Sequence, residues 1–182
     1  GRGCLAGPVM AAAVILDPAR SIPGMRDSKM TTLSERERLY DAITRKALAW
    51  AVASASVEEI DDINIHQASL LAMRRAVLAI APLPGLVLVD AFRIPSLTIA
   101  QRAVPHGDRR CSAIAAASII AKVTRDREML RHHTADPRYG YDRHKGYATS
   151  VHLTALALHG YSPIHRRSFR PSSLFDTMDD TA

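Results

Sequence analysis

The chain has 182 residues, enough for one domain with a sizeable core. Its 47% hydrophobic and 23% charged residues exclude a disordered or low-complexity chain. A surplus of 24 Lys and Arg over 18 Asp and Glu, net +6, favours a polyanionic partner without establishing one.

Cys4 and Cys111 lie far apart and make neither a disulfide framework nor a metal-type pair, so a reducing, cytoplasmic compartment is expected. The uncharged stretch from Cys4 to Leu16 is too short to span a bilayer. Gly1-Arg2-Gly3 reads as a loop. Its glycines would let backbone approach a ligand and Arg2 could grip a phosphate or sugar edge, although a plain turn explains the same residues. Val9 to Leu16 reads as a buried strand stopped by Asp17-Pro18. Asp27-Ser28-Lys29 is a polar loop that could hold a phosphate or simply lead into a helix. Ser34 is the expected cap of that helix, with Glu37 as capping-box partner and Leu39 and Ile43 continuing the apolar spacing.

Ala47 to Val57 reads as a second strand. Glu58, Glu59, Asp61 and Asp62 follow as an acidic turn. Carboxylates so close along the backbone diverge, which favours a solvated turn over a metal site. Asn64, with Gln67 three residues on, is expected to cap the next helix, which Pro82 and Pro84 stop.

Leu86-Val87-Leu88-Val89-Asp90 organises the rest. A short apolar run between turn signals suits a strand buried on both faces. Its terminal Asp90 sits where open α/β sheets hold ligands, or else caps a turn. The strand–helix–strand order leading to Asp90 is the signature of α/β architecture. Leu97 to Val104 is a further strand, and Ser112 to Leu130 is the longest helix. Asp126 near its end is either an i,i+4 partner of Lys122 or a second carboxylate aimed at the same spot as Asp90. Tyr139-Gly140-Tyr141 and His144-Lys145-Gly146-Tyr147 form a basic, aromatic loop suited to sugars, bases and phosphates, though tyrosines are also common at ordinary turns. Thr149 to His159 reads as a short helix ending at Gly160. His132, His133 and Asp136 lack further partners in register and read as a surface cluster, not a zinc site.

Together these pieces resemble type 2 ribonuclease H, ribonuclease HII of bacteria, in one collinear match from Gly1 to about Arg170. The resemblance rests on Gly1-Arg2-Gly3 with Leu5-Ala6-Gly7-Pro8-Val9, Asp27-Ser28-Lys29, and Asn64-Ile65 with Gln67-Ala68. Leu88-Val89-Asp90, Ser112 through Ser118, and Ala121 through Asp126 continue it. His144-Lys145-Gly146-Tyr147 and His165-Arg166-Arg167-Ser168-Phe169 complete it. It implies an α/β, ribonuclease H-like fold: a mixed five-stranded sheet, flanking helices and a C-terminal helical extension. One domain over 1–170 and a polar tail over 171–182 are expected.

The resemblance also implies endonucleolytic cutting of RNA in RNA/DNA hybrids, including single ribonucleotides within duplex DNA. Members of that family use Mg2+ or Mn2+ held by four acids, of which Asp90 and Asp126 match two. The other two belong to an Asp-Glu-Ala triplet that in the family precedes Gly-Arg-Gly on the first, central strand. The expectation is therefore a chain incomplete at its N-terminus, active once that strand is restored. By the same resemblance, Gly1, Arg2 and Gly3 sense the 2′-hydroxyl, Tyr147 stacks on the next sugar, and Ser28, Lys29 and Lys145 hold phosphates. A monomer is expected, and the sequence is silent on recruitment by a sliding clamp. The alternative is a hybrid- or duplex-binding module without turnover, or an inactive fragment.

Overall fold

A computed structural model describes residues 1–25 and 31–169. The Asp27-Ser28-Lys29 loop and the expected 171–182 tail thus lie outside the described residues. The elements run β1 (Val9–Ile15), α1 (Leu33–Lys46), β2 (Ala49–Ala55), α2 (Val57–Ala79), β3 (Leu86–Asp90) and β4 (Ala100–Val104). The helices α3 (Gly107–Arg110), α4 (Ser112–Ala135), α5 (Tyr141–His144) and α6 (Ser150–His159) follow, with a 3-10 turn at Pro137–Tyr139. This is the expected mixture of strands and flanking helices with a helical C-terminal part. Among the described residues the four strands form two separate pairs, β1 with β2 and β3 with β4. The β3–β4 pair is parallel and sets Asp90 opposite Val104.

The contacts divide the chain into two compact units. One holds Gly1–Val9, Ala55–Ala68 and the described part of Arg125–Ala182; the other holds Ser69–Thr124 and the described part of Met10–Ser54.

In the second unit, Ile22, Leu39 and Ile43 pack with Ala116, Ile119, Ile120 and Val123 of α4. Small residues on α4 let these aliphatic side chains close over it. Each fully buried Leu or Ile contributes about 1.5–3 kcal/mol. A second cluster joins Val77, Val89 and Ile94. The strand β3 departs from the expectation of burial on both faces. Val89 is 5% exposed, but Leu86 and Leu88 are 55% and 38% exposed. With a side-chain period of two, Val87 and Val89 meet the cluster while Leu86 and Leu88 occupy the opposite face.

Two start signals are also corrected. Thr32, not Ser34, caps α1. Its side chain accepts from the Glu35 N–H, and Glu35 returns a bond to the Thr32 backbone N–H at 2.8 Å. The capping box simply lies two residues earlier than the competing Ser34/Glu37 pair. The acidic segment after β2 is the first turn of α2, not a free turn, because Ser56 and Glu59 form reciprocal bonds at its start. Asn64 then interrupts α2 at φ 67°, and its side chain accepts from the His66 and Gln67 N–H groups. It thus caps a second helical stretch within α2, as the Asn64/Gln67 spacing predicts.

Within the first unit, Ala6, Met129, Tyr139, Tyr141 and Ala155 form the core. Tyr139 and Tyr141 stack with centroids 5.5 Å apart and are each 1% exposed. They are structural rings, and only Tyr147 of the aromatic loop is exposed to a ligand, at 42%.

Candidate active site

The N-terminal segment carries the candidate substrate loop, and two buried arginines hold it. Arg166 donates from Nε to the Gly7 carbonyl at 2.9 Å and from Nη1 to that of Arg2 at 2.9 Å. Its Nη2 reaches the Gly1 carbonyl at 2.8 Å and the Pro8 carbonyl at 3.3 Å. Arg125 donates to the carbonyls of Pro8, Ala6 and Lys145 at 3.1, 2.9 and 2.9 Å. A planar guanidinium with several fixed donors suits this task, where a lysine would offer one point of attachment. Carbonyl dipoles satisfy the donors, and the Asp61 carboxylate offsets part of the Arg166 charge. Burial lowers the Arg166 guanidinium to about 10, and the neighbouring Arg125 charge adds to that, yet it stays cationic at neutral pH.

Main-chain pairing completes the frame. Cys4 bridges to Tyr147 and Ala6 to His165, both antiparallel. Leu5 N–H donates to the Gly146 carbonyl, and Arg166 N–H donates to the Leu5 carbonyl, each at 2.8 Å. A side chain on Gly146 would place its Cβ 2.6 Å from the Ala6 carbonyl oxygen, so only glycine allows this approach. Gly1 is required similarly, since a Cβ there would lie 2.3 Å from Arg125 Nε. Gly3 differs: nothing lies within 4 Å of its Cβ position. Packing therefore explains Gly1, whereas Gly3 leaves open space at the surface. Arg2 is exposed, with Nη2 3.4 Å from His66 Nδ1.

Lys145 sits at φ 50°, donates from Nζ to the Asp142 carbonyl and is half-buried. Asp61, in the acidic opening of α2, accepts the Arg167 and Ser168 N–H groups at 2.9 Å each. Burial alone would raise its carboxyl, but these bonds and the Ser168 hydroxyl outweigh that and lower it. Asp61 thus anchors the Arg166-Arg167-Ser168 loop.

The two acids expected to be catalytic fall in different units. Asp90 ends β3 in the second unit, where its Oδ1 accepts the Gly107 N–H at 2.8 Å. That bond fixes the carboxylate. Gly107 has little spare room, because a Cβ there would meet Ile114 Cδ1 at 2.5 Å. Asp126 lies in the first unit, buried at 8% exposure on α4 beside Arg125. Ser28 and Lys29 lie outside the described residues. Among the described residues, no group of three or more His, Cys, Asp or Glu gathers as a metal centre. His133 instead pairs with Asp142 at 3.2 Å, and Asp136 with Arg138 at 2.7 Å.

Asp61 reads from sequence only as part of a solvated turn, and Arg125 and Arg166 have no role that their spacing announces. Only the burial of such polar groups signals one, and burial is not written in local spacing.

A ribonuclease HII family model matches residues 1–172. A ribonuclease HII of Ralstonia nicotianae is 56% identical over 174 residues, spanning 94% of this chain and 74% of that protein. The fold resembles the crystal structure of ribonuclease H2 from Pyrococcus horikoshii OT3, with a TM-score of 0.77 and 23% identity over 99% of this chain and 94% of that one. It also resembles a Bst ribonuclease HIII in complex with Mn2+, with a TM-score of 0.72 and 20% identity over 99% of this chain and 67% of that one. The chain belongs to the ribonuclease HII family, whose members are ribonucleases H.

Proposed function

We propose that the protein hydrolyses the phosphodiester at ribonucleotides in RNA/DNA hybrids and at single ribonucleotides embedded in duplex DNA, leaving a 5′-phosphate. The observation that carries this reading is the clamp of Arg125 and Arg166 on the carbonyls of the N-terminal segment and of Lys145. It orders the Gly1-Arg2-Gly3 backbone before substrate arrives, and telling RNA from DNA needs a fixed group at the 2′-hydroxyl. Arg2 and the loop backbone take that role. Tyr147, its ring exposed and its backbone tied down, stacks on the following sugar and reads the RNA–DNA junction. Lys145, with Ser28 and Lys29, holds backbone phosphates, which makes binding salt-sensitive.

Asp90 and Asp126 are the carboxylates assigned to the reaction. A two-cation centre would activate water and stabilise the leaving oxygen, and the Mn2+ bound by the ribonuclease HIII relative supports a divalent cation, Mn2+ or Mg2+. The described residues gather too few ligands to fit such a centre by themselves. What they supply is an oriented Asp90, an ordered ribose-sensing loop and a stacking ring.

The test is cleavage of a duplex carrying one ribonucleotide, with Mn2+. The chain is compared with a version extended before Gly1 by a strand ending in Asp-Glu-Ala. The extended protein should cut at the ribonucleotide in a cation-dependent manner. Hybrid binding without cutting by either version would leave a binding module instead.

A further inference from the structure

The first unit buries three histidines: His144, His152 and His165 are 8%, 0% and 1% exposed. They do not converge on a common point, since the His144 and His152 rings stack with centroids 4.3 Å apart. All six ring nitrogens have protein partners, and those partners fix every proton. Ser162 N–H can only donate, and it donates to His165 Nδ1 at 2.8 Å. The His165 proton is therefore on Nε2, which lies 3.0 Å from His152 Nε2. His152 Nε2 must accept, so its proton sits on Nδ1, which donates to the Tyr147 carbonyl at 2.9 Å. In parallel, Gly146 N–H donates to His144 Nδ1 at 3.1 Å, and His144 Nε2–H donates to the Tyr139 carbonyl at 2.8 Å.

This order has one direction, from Ser162 through His165 and His152 to Tyr147. A proton added to His144 or His152 would face another N–H, and one added to His165 would meet the Ser162 N–H beside the Ser162 hydroxyl. Burial acts in the same sense, pushing His152 and His165 down to about 4. The chain ends on Tyr147, a residue that is 42% exposed. Tyr147 has its N–H on the His144 carbonyl at 2.9 Å, and its carbonyl accepts from both His152 and the Thr149 N–H, the latter at 2.8 Å. Its peptide planes are thus set while the residue keeps an exposed face.

We propose that His152, held in its Nδ1–H tautomer by His165, is a positioning residue for Tyr147 and so governs how this protein reads the sugar beyond the ribonucleotide. The inference builds on the reading of Tyr147 as the stacking ring. His152 touches no substrate; it acts through the Tyr147 carbonyl.

The test combines spectroscopy with a pair of near-isosteric variants of the full chain. Long-range 15N–1H correlation spectra at neutral pH should show His152 as Nδ1–H and both His144 and His165 as Nε2–H. His152→Asn places an amide N–H where Nδ1 was and keeps the Tyr147 bond; His152→Gln places its amide at the Nε2 position and loses it. Tyr147 ring resonances should shift in the Gln variant and stay in place in the Asn variant. The ratio of affinities for a ribonucleotide–DNA junction over a uniform hybrid should fall about tenfold in the Gln variant only, which is what one hydrogen bond supplies. A His152 protonated on Nε2, or equal Tyr147 shifts in the two variants, overturns the proposal. If the tautomers and shifts are as stated while Tyr147→Ala leaves the affinity ratio unchanged, positioning stands and the stacking reading falls.

Discussion

Arg166 Nη2 donates to the carbonyl of Gly1 at 2.8 Å, across 165 positions of sequence. A buried cation late in the sequence thus fixes the backbone of the candidate substrate loop early in it. Removing it takes a donor from the carbonyls of Gly1, Arg2 and Gly7 and leaves that of Pro8 to Arg125 alone. Arg166→Met should lower stability by about 3–5 kcal/mol, the usual cost of breaking a buried charged network, measured by urea unfolding. Arg166→Lys keeps the charge but cannot reach all four carbonyls. It should remain folded while binding a ribonucleotide-containing duplex more weakly than wild type. A lysine variant with unchanged binding would reduce Arg166 to a purely structural residue.

The glycines flanking Arg2 should respond differently to the same change. Alanine at Gly1 drives a Cβ to 2.3 Å from the Arg125 side chain, while alanine at Gly3 meets nothing within 4 Å. In a protein extended before Gly1, Gly1→Ala should therefore cost stability by displacing Arg125. Gly3→Ala should leave the melting temperature unchanged and lower only ribonucleotide recognition, because its methyl occupies the surface where a sugar would approach. A Gly3→Ala protein with wild-type affinity for ribonucleotide-containing duplex would take Gly3 out of the binding loop.

Asp90→Asn keeps the acceptor for the Gly107 N–H and removes the charge. Cleavage by the extended protein should be lost while hybrid binding stays measurable by fluorescence anisotropy. Asp126→Asn should behave alike. Cutting at the wild-type rate by either variant would remove that acid from the mechanism.

Local signals in the sequence marked the elements well where a turn or cap has its own chemistry. The end of α6 at Gly160 is one example, and the strand that stops at Asp90 is another. They failed where two equivalent caps competed, at Thr32 and Ser34, and where burial decides the role of a polar residue. Arg125, Arg166 and the three histidines look like surface residues in a list of types. The arginines bond to backbone carbonyls far along the chain, and the histidines bond to nearby backbone groups and to one another, which no spacing rule encodes. For Tyr139 and Tyr141 the sequence leaves both readings open, because tyrosines near a basic loop suit stacking on nucleic acid or an ordinary turn equally well before their burial is known.

The buried histidines also set a pH window for folding. In the unfolded chain they titrate near the ordinary value of 6.5, whereas in the fold burial holds His152 and His165 at about 4 and also lowers His144. Between those values the unfolded chain binds more protons than the folded one, so acid favours unfolding. The stabilisation is fully present above pH 6.5, is lost as pH falls towards about 4, and changes no further below that. In this window each of His152 and His165 contributes a slope of about 1.4 kcal/mol per pH unit. Other neighbours modulate the effect: the Arg167 charge also disfavours imidazolium at His165, while Asp136 opposes it. Urea unfolding at pH 7.5 and 5.0 should show the midpoint dropping, and the drop should shrink in His152→Asn, which has one titrating ring fewer. An identical pH dependence in wild type and variant would mean that His152 is already protonated in the fold, contrary to its hydrogen bonds.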